Sequence, residues 1–283
     1  MNRLRRRKLA NRLFEGSAWL AAAVAVGVLG VVVVSVLRKG IPALNLDLLT
    51  KTQATFGETG GGIADAIVGS LLLVGIATAM ALPIGVLVAV YVVEFADRRI
   101  ALGVRLALDV LNGLPSIVIG IFAFSAIVLR TGQSSLAGSV ALAIVMLPLV
   151  ARSTQEVLGL VPQSLREASM ALGVSRWRTI VGVVLPTTFS GILTGTTLAI
   201  ARAAGETAPL LFTTSIAANE VSLDVSKPVS SIPLKIFQYA EAPDPTLNQQ
   251  AWAAAFLLIS FVLVTSLAAR ALLARNRRRL GTR

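Results

Sequence analysis

The 283-residue chain has no cysteine and no histidine. The first absence excludes disulfides and thiolate chemistry, and the two together remove the common metal ligands. Charged residues are only 14% of the chain and aromatic residues 5%, against a soluble-domain norm of about 25% charged. No G-x-x-x-x-G-K-[ST] occurs, nor any Gly-Lys pair, so there is no loop of the kind that cradles nucleotide phosphates. No internal repeat is visible, which weighs against a secondary carrier built from inverted repeats.

Apolar residues fill the space instead. They make up 55% of the chain, and the mean hydropathy is +0.79, outside the range of a soluble domain of this length. The formal charge of +12 would suit a nucleic-acid binder, but the basic residues sit in short clusters beside apolar runs. That is the pattern of membrane topology, and it argues against nucleic acid as a partner.

Charge-free runs long enough to cross a bilayer, which takes roughly 20 residues, divide the chain. The sequence predicts an all-α polytopic protein. A basic arm (1–15) leads to a first transmembrane helix (16–37) and an external loop (38–62) that ends in a flexible run, Gly60-Gly61-Gly62. A five-helix core (63–275) and a basic tail (276–283) follow. Within the core, spans are expected at 66–93, from near Ala101 to about 130, at 136–151, at 179–204 and at 251–269. The loop 152–178 lies between the fourth and fifth spans, and an external segment (207–250) between the fifth and sixth. Six spans place both termini on one side, and that side then holds 19 of the 26 Lys and Arg residues, which makes it the cytoplasmic one. Pro83 and Gly85 are expected to bend the second span. Arg105 and Asp109, at i,i+4 spacing, are expected to pair. Asn112-Gly113-Leu114-Pro115-Ser116 interrupts the third span, either as a structural kink or as a break whose freed backbone groups line a path.

Two polar features stand out against this apolar background. The first is the loop beginning Pro162-Gln163-Ser164-Leu165-Arg166-Glu167-Ala168. Ser164 with Glu167 three residues on has the form of a capping box, Gly173 is placed to stop the helix, and Ser175 to open another. The helix has no apolar partner of its own for Leu165, Met170 and Leu172, so it reads as a docking element or as an amphipathic connector on the membrane surface. The second is Arg202, which follows an uncharged run inside the fifth span, where a charge costs about 2.5–3.5 kcal/mol on the insertion scale. Glu206, one turn on, is in reach of it. The pair is either structural or a site where the planar guanidinium meets an oxyanion.

Family likeness sharpens both features. Glu167-Ala168, Gly173 and Leu185-Pro186 resemble the E-A-A, G, I-x-L-P signature of membrane subunits of ATP-binding-cassette importers, with Ser169 and Val183 departing from it conservatively. Leu114-Pro115-Ser116-Ile117-Val118-Ile119-Gly120 resembles the L-P-S-I-V-x-G run of phosphate-importer permeases. The block from Arg202 through Gly205-Glu206-Thr207-Ala208-Pro209 to Thr213 is similar to that of the second permease subunit of high-affinity phosphate importers.

The resemblance implies a type I importer permease fold in a bacterial plasma membrane, and a transport subunit rather than an enzyme. It implies a substrate pathway at Arg202, Glu206, Thr207, Pro115 and Ser116, and coupling to an ATPase through Ser164, Glu167, Ala168 and Gly173. The implied partners are a sister permease, an ATPase dimer, an external phosphate-binding protein, inorganic phosphate and membrane lipid. ATP and Mg²⁺ would sit on the ATPase, leaving no cofactor on this chain. Two alternatives stay open: a permease for another oxyanion such as sulfate or molybdate, and an ion-gradient-driven anion carrier using Arg202 and Glu206 as a relay.

Overall fold

The computed structural model describes residues 3–53, 61–216 and 219–279, and these are helical throughout their ordered elements, without a β-strand. The last residues of the expected basic tail, from 280 on, lie outside the described residues, as does Gly60. Five helices are long and apolar enough to cross a membrane, or six spans if one bent pair counts as a single span.

The first helix, α1 (Arg3–Gly40), starts well inside the stretch expected to be a separate arm. At 38 residues it exceeds the roughly 20 that span the hydrocarbon, and its basic first turns run beyond the apolar zone. A 3₁₀ turn and α2 (Leu46–Thr50) follow it. Of the glycines expected to be flexible there, Gly62 serves close approach instead: a Cβ on it would lie 2.4 Å from the Asp47 carbonyl oxygen.

The central pair is α3 (Ala64–Val90) against α7 (Ser135–Gly159), with α10 (Leu185–Ala204) laid alongside. Their core comprises Leu73, Ala77 and Ala81, Leu142, Met146 and Val150, and Ala199 and Ala203. Small residues let the backbones meet, as expected where lipid supplies no hydrophobic drive between helices. A Cβ on Gly85 would sit 2.8 Å from Val150 Cγ1, and one on Gly195 would sit 2.1 Å from Ser153 Oγ. Gly85 thus has a packing role, and α3 is an unbroken helix through Pro83. Threonines in α10 satisfy themselves, Thr188, Thr196 and Thr197 donating to carbonyls one turn back, so their own hydroxyls are not left bare in the apolar layer.

The third span departs most from expectation. After a π-helical turn (Tyr91–Phe95), α4 (Arg98–Gly113) is capped by Asp97, which accepts from Arg99 N and Ile100 N at 3.0 and 2.9 Å. It buries Leu108 and exposes Leu102 and Leu106. The chain then turns through 97° into α5 (Ser116–Ala123), which continues by a second π turn into α6 (Leu129–Thr131). This is a break, not a kink. Pro115 has no N–H to give and keeps Leu114 out of the helical region, and both residues are extended, with ψ of 132° and 135°. Asp109 pairs with Arg152 of α7, Nε to Oδ1 2.9 Å, and not with Arg105 as the spacing predicted. A cation delivered by the helix that α4 packs on takes precedence over an exposed same-helix neighbour.

The remaining elements are α8 (Gln163–Ala171), α9 (Arg176–Thr179), a π turn (Ile180–Val184), α11 (Ala208–Thr213), α12 (Ile232–Glu241) and α13 (Pro245–Arg279). The α12 helix caps the N-terminal ends of α3 and α13, where Leu48, Ile63, Ala66, Ile232, Tyr239 and Ala254 form a second core.

Candidate functional site

The helix α10 ends two residues past Arg202, at Ala204. Gly205 and Glu206 donate to the carbonyls of Arg202 and Ala203 at 3.0 and 3.2 Å, and α11 starts again at Ala208. Arg202 therefore occupies the last turn of α10, where the helix dipole favours a cation, which offsets part of its insertion cost. Its Nε lies 3.4 Å from Glu206 Oε1; the arginine side chain is 48% exposed and the glutamate 15%. Among the described residues the other guanidinium nitrogens have no protein partner. The pair is loose, with donors to spare.

A second break adjoins this one. Gly120 of α5 is pressed against α11, a Cβ there falling 2.8 Å from Pro209 Cα and 3.3 Å from the Ala208 carbonyl. The C-terminal ends of the two half-helices are tied as well: Ser134 N donates to Thr213 O at 3.1 Å, and Gln133 Nε2 to Ser215 Oγ at 3.2 Å. The breaks at Leu114-Pro115 and at 205–207 thus open at the same end of one half-helix pair. Pro115 and Ser116 start α5, where the first backbone N–H groups have no helical acceptor. Thr207 precedes α11 and receives Leu210 N and Leu211 N on its carbonyl, both at 3.1 Å. Broken helices with free donors beside an arginine suit an anion.

The other expected site is α8. Its residues Ser164, Glu167 and Ala168 are exposed, no residue of the helix is buried, and Leu165, Met170 and Leu172 remain 38%, 41% and 85% exposed. The capping box expected between Ser164 and Glu167 does not form. Pro162 occupies the N-cap position with no side-chain cap, its carbonyl receiving Leu165 N at 3.2 Å, so the helix begins two residues early and Ser164 falls inside the first turn. Gly173 does stop the helix: its φ is +81°, and its N–H meets Met170 O at 2.9 Å, a left-handed cap that a side chain would strain.

Three charge clusters escaped sequence reasoning. Arg166 of α8 reaches Glu94 in the π turn after α3, with Nε and Nη2 at 3.1 and 2.7 Å from Oε1. These partners are 72 residues apart, and no spacing rule links them. Arg152–Asp109 is the second. The third is Lys235 on α12, whose ammonium is fully buried and meets Asp65 Oδ2 at 3.2 Å, Gln53 Oε1 at 3.1 Å and Asn219 Oδ1 at 2.9 Å. Burial pulls Lys235 below the usual lysine range, and Asp65 pulls it partly back. Only the rarity of lysine among the apolar residues 229–239 could have flagged it.

The bundle thus sets two broken helices beside one another and leaves a short helix, α8, with its apolar residues uncovered. Residues 81–278 match the family described as binding-protein-dependent transport system inner membrane component, and the chain belongs to that family. It is 40% identical over 266 residues to the phosphate transport system permease protein PstA of Haemophilus influenzae, covering 93% of this chain and 94% of that one. It is 41% identical over 225 residues to PstA 1 of Mycobacterium tuberculosis, covering 78% and 73%. The fold is shared with a bacterial alginate ABC transporter (TM-score 0.65, 13% identity, 93% of this chain and 96% of that one). It is shared also with the MetNI methionine ABC transporter (0.58, 18%, 76% and 94%). The chain is thus a multi-pass inner-membrane transport subunit of type I importer architecture, not an enzyme.

Proposed function

We propose that this chain is a membrane subunit of an ATP-driven phosphate importer, lining the path with a sister permease and moving substrate by alternating access. One observation carries the reading: the half-exposed Arg202, with unpartnered guanidinium donors at a helix break, lies in a chain 40% identical to phosphate permeases. In the resting state Glu206 holds the arginine, and phosphate displaces it by offering more acceptors in a geometry the planar fork matches. Pro115, Ser116 and Thr207 border the same opening. A separate ATPase dimer, holding ATP and Mg²⁺, docks on Glu167, Ala168 and the exposed apolar residues of α8, and a binding protein delivers phosphate from outside. Both termini and α8 then face the cytoplasm.

The test is reconstitution of the chain with its co-purifying subunits in liposomes, with binding protein inside the assay. Phosphate uptake should require ATP and exceed sulfate and molybdate uptake. Preference for another oxyanion would replace the substrate, and uptake by the chain alone on an ion gradient would replace the mechanism. The chain has no cysteine of its own, so topology is checked by Ser222→Cys, expected to label from outside intact cells, and Ser164→Cys, expected not to.

A further inference from the structure

How a movement of α8 reaches the spans is set by what joins the two. Direct packing does little: no residue of α8 is buried, and a cavity of about 630 Å³ separates the helix from the ends of α3 and α7. That cavity is bridged by Arg166. Its Nε and Nη2 converge on Glu94 Oε1, Nη2 also donates to Leu158 O at 3.0 Å, and Nη1 donates to Val161 O at 2.5 Å. One side chain therefore binds the docking helix to the last turn of α7 and to the end of α3, the two helices that form the centre of the bundle. The bridge is shielded, with Arg166 12% and Glu94 6% exposed. Arg176 of α9 adds a bond to the Glu94 carbonyl and lies 5.1 Å over the Phe95 ring. Around the cavity, the other side-chain polar link of α8 among the described residues is Ser169 to Thr179, 2.9 Å between hydroxyls.

We propose that Arg166 and Glu94 are positioning residues for energy coupling: their bond is the strut through which displacement of α8 moves α3 and α7. This rests on the importer reading above. A strut must resist both push and pull, and a charge-assisted bond from a planar fork, largely shielded from water, does so better than an apolar contact that parts freely under tension. The location agrees, because Glu94 sits in a π-helical turn, an irregular segment of the kind enriched at functional positions.

The test uses the whole complex in proteoliposomes and measures phosphate imported per ATP hydrolysed. Glu94→Leu/Arg166→Met removes the strut without leaving a lone buried charge. It should assemble with the ATPase and continue to hydrolyse ATP while import per ATP falls tenfold or more. Arg166→Lys, which keeps the charge and loses the fork, should fall between that variant and wild type. Wild-type import per ATP in the double variant would overturn the proposal, since a structural pair is dispensable when removed whole. Loss of assembly in both variants would overturn it equally, by making the pair a folding element. A wild-type complex that hydrolyses no ATP, or that imports another anion, would instead count against the importer reading, and the strut ratio would be read with the anion actually carried.

Discussion

Arg202–Glu206 and Arg166–Glu94 use the same two residue types for opposite ends. The first pair lies within one helix and its continuation, is long at 3.4 Å, and leaves the arginine half exposed. The second joins elements 72 residues apart and closes to 2.7 Å with both partners shielded. Exposure screens the first and leaves its donors free, whereas burial makes the second costly to break from one side. Under the two proposals, a pair that must let go for substrate is held loosely, and a pair that must transmit movement is held tightly.

That contrast predicts a ranking of stability effects that follows burial. The largest loss should come from the most buried ion, Lys235: Lys235→Met strands Asp65 and should lower stability by about 3–5 kcal/mol, read from thermal denaturation of the purified complex. Because burial depresses Lys235 in the folded state, the unfolded chain binds more protons in the window between that lowered value and 10.5. Wild-type stability should therefore rise as pH climbs towards 10.5, and Lys235→Met should lose that slope. Next is Glu94→Leu, at about 3 kcal/mol, relieved in part when Arg166→Met is added. Gly173→Ala, at φ +81°, should cost about 1–2 kcal/mol through left-handed strain and reduce ATPase association by displacing the end of α8. Smallest is Arg202→Gln, at about 1 kcal/mol or less. An equal stability loss at Arg202 and Glu94 would erase the distinction.

Much of the fold was legible because its determinants are local. Charge-free length marked the spans, and Gly173 marked the end of α8 because only a left-handed residue closes a helix that way. The same locality misled at Ser164, where the short-range capping rule was overridden by Pro162, which set the helix start two residues earlier. It also misled at Asp109, whose partner is supplied by α7. The break at Pro115 could be read in the sequence, but not its 97° angle, which depends on how α4 lays Leu108 against the bundle. Of the candidate site, Arg202 and Glu206 were visible as an i,i+4 pair in an apolar run. Glu94 was one acid in a short turn, and nothing before the chain folds associates it with Arg166.

The central claim is that Arg202 meets the transported anion. The most direct test is ATP-dependent phosphate uptake by complexes carrying Arg202→Gln alone and Arg202→Gln with Glu206→Gln, each normalised to the amount of assembled complex. The account predicts near-normal assembly and stability for both, with uptake reduced at least tenfold in the single variant and not recovered in the double. Restoration of wild-type uptake by the double variant would contradict it, and would make the arginine and glutamate a structural pair.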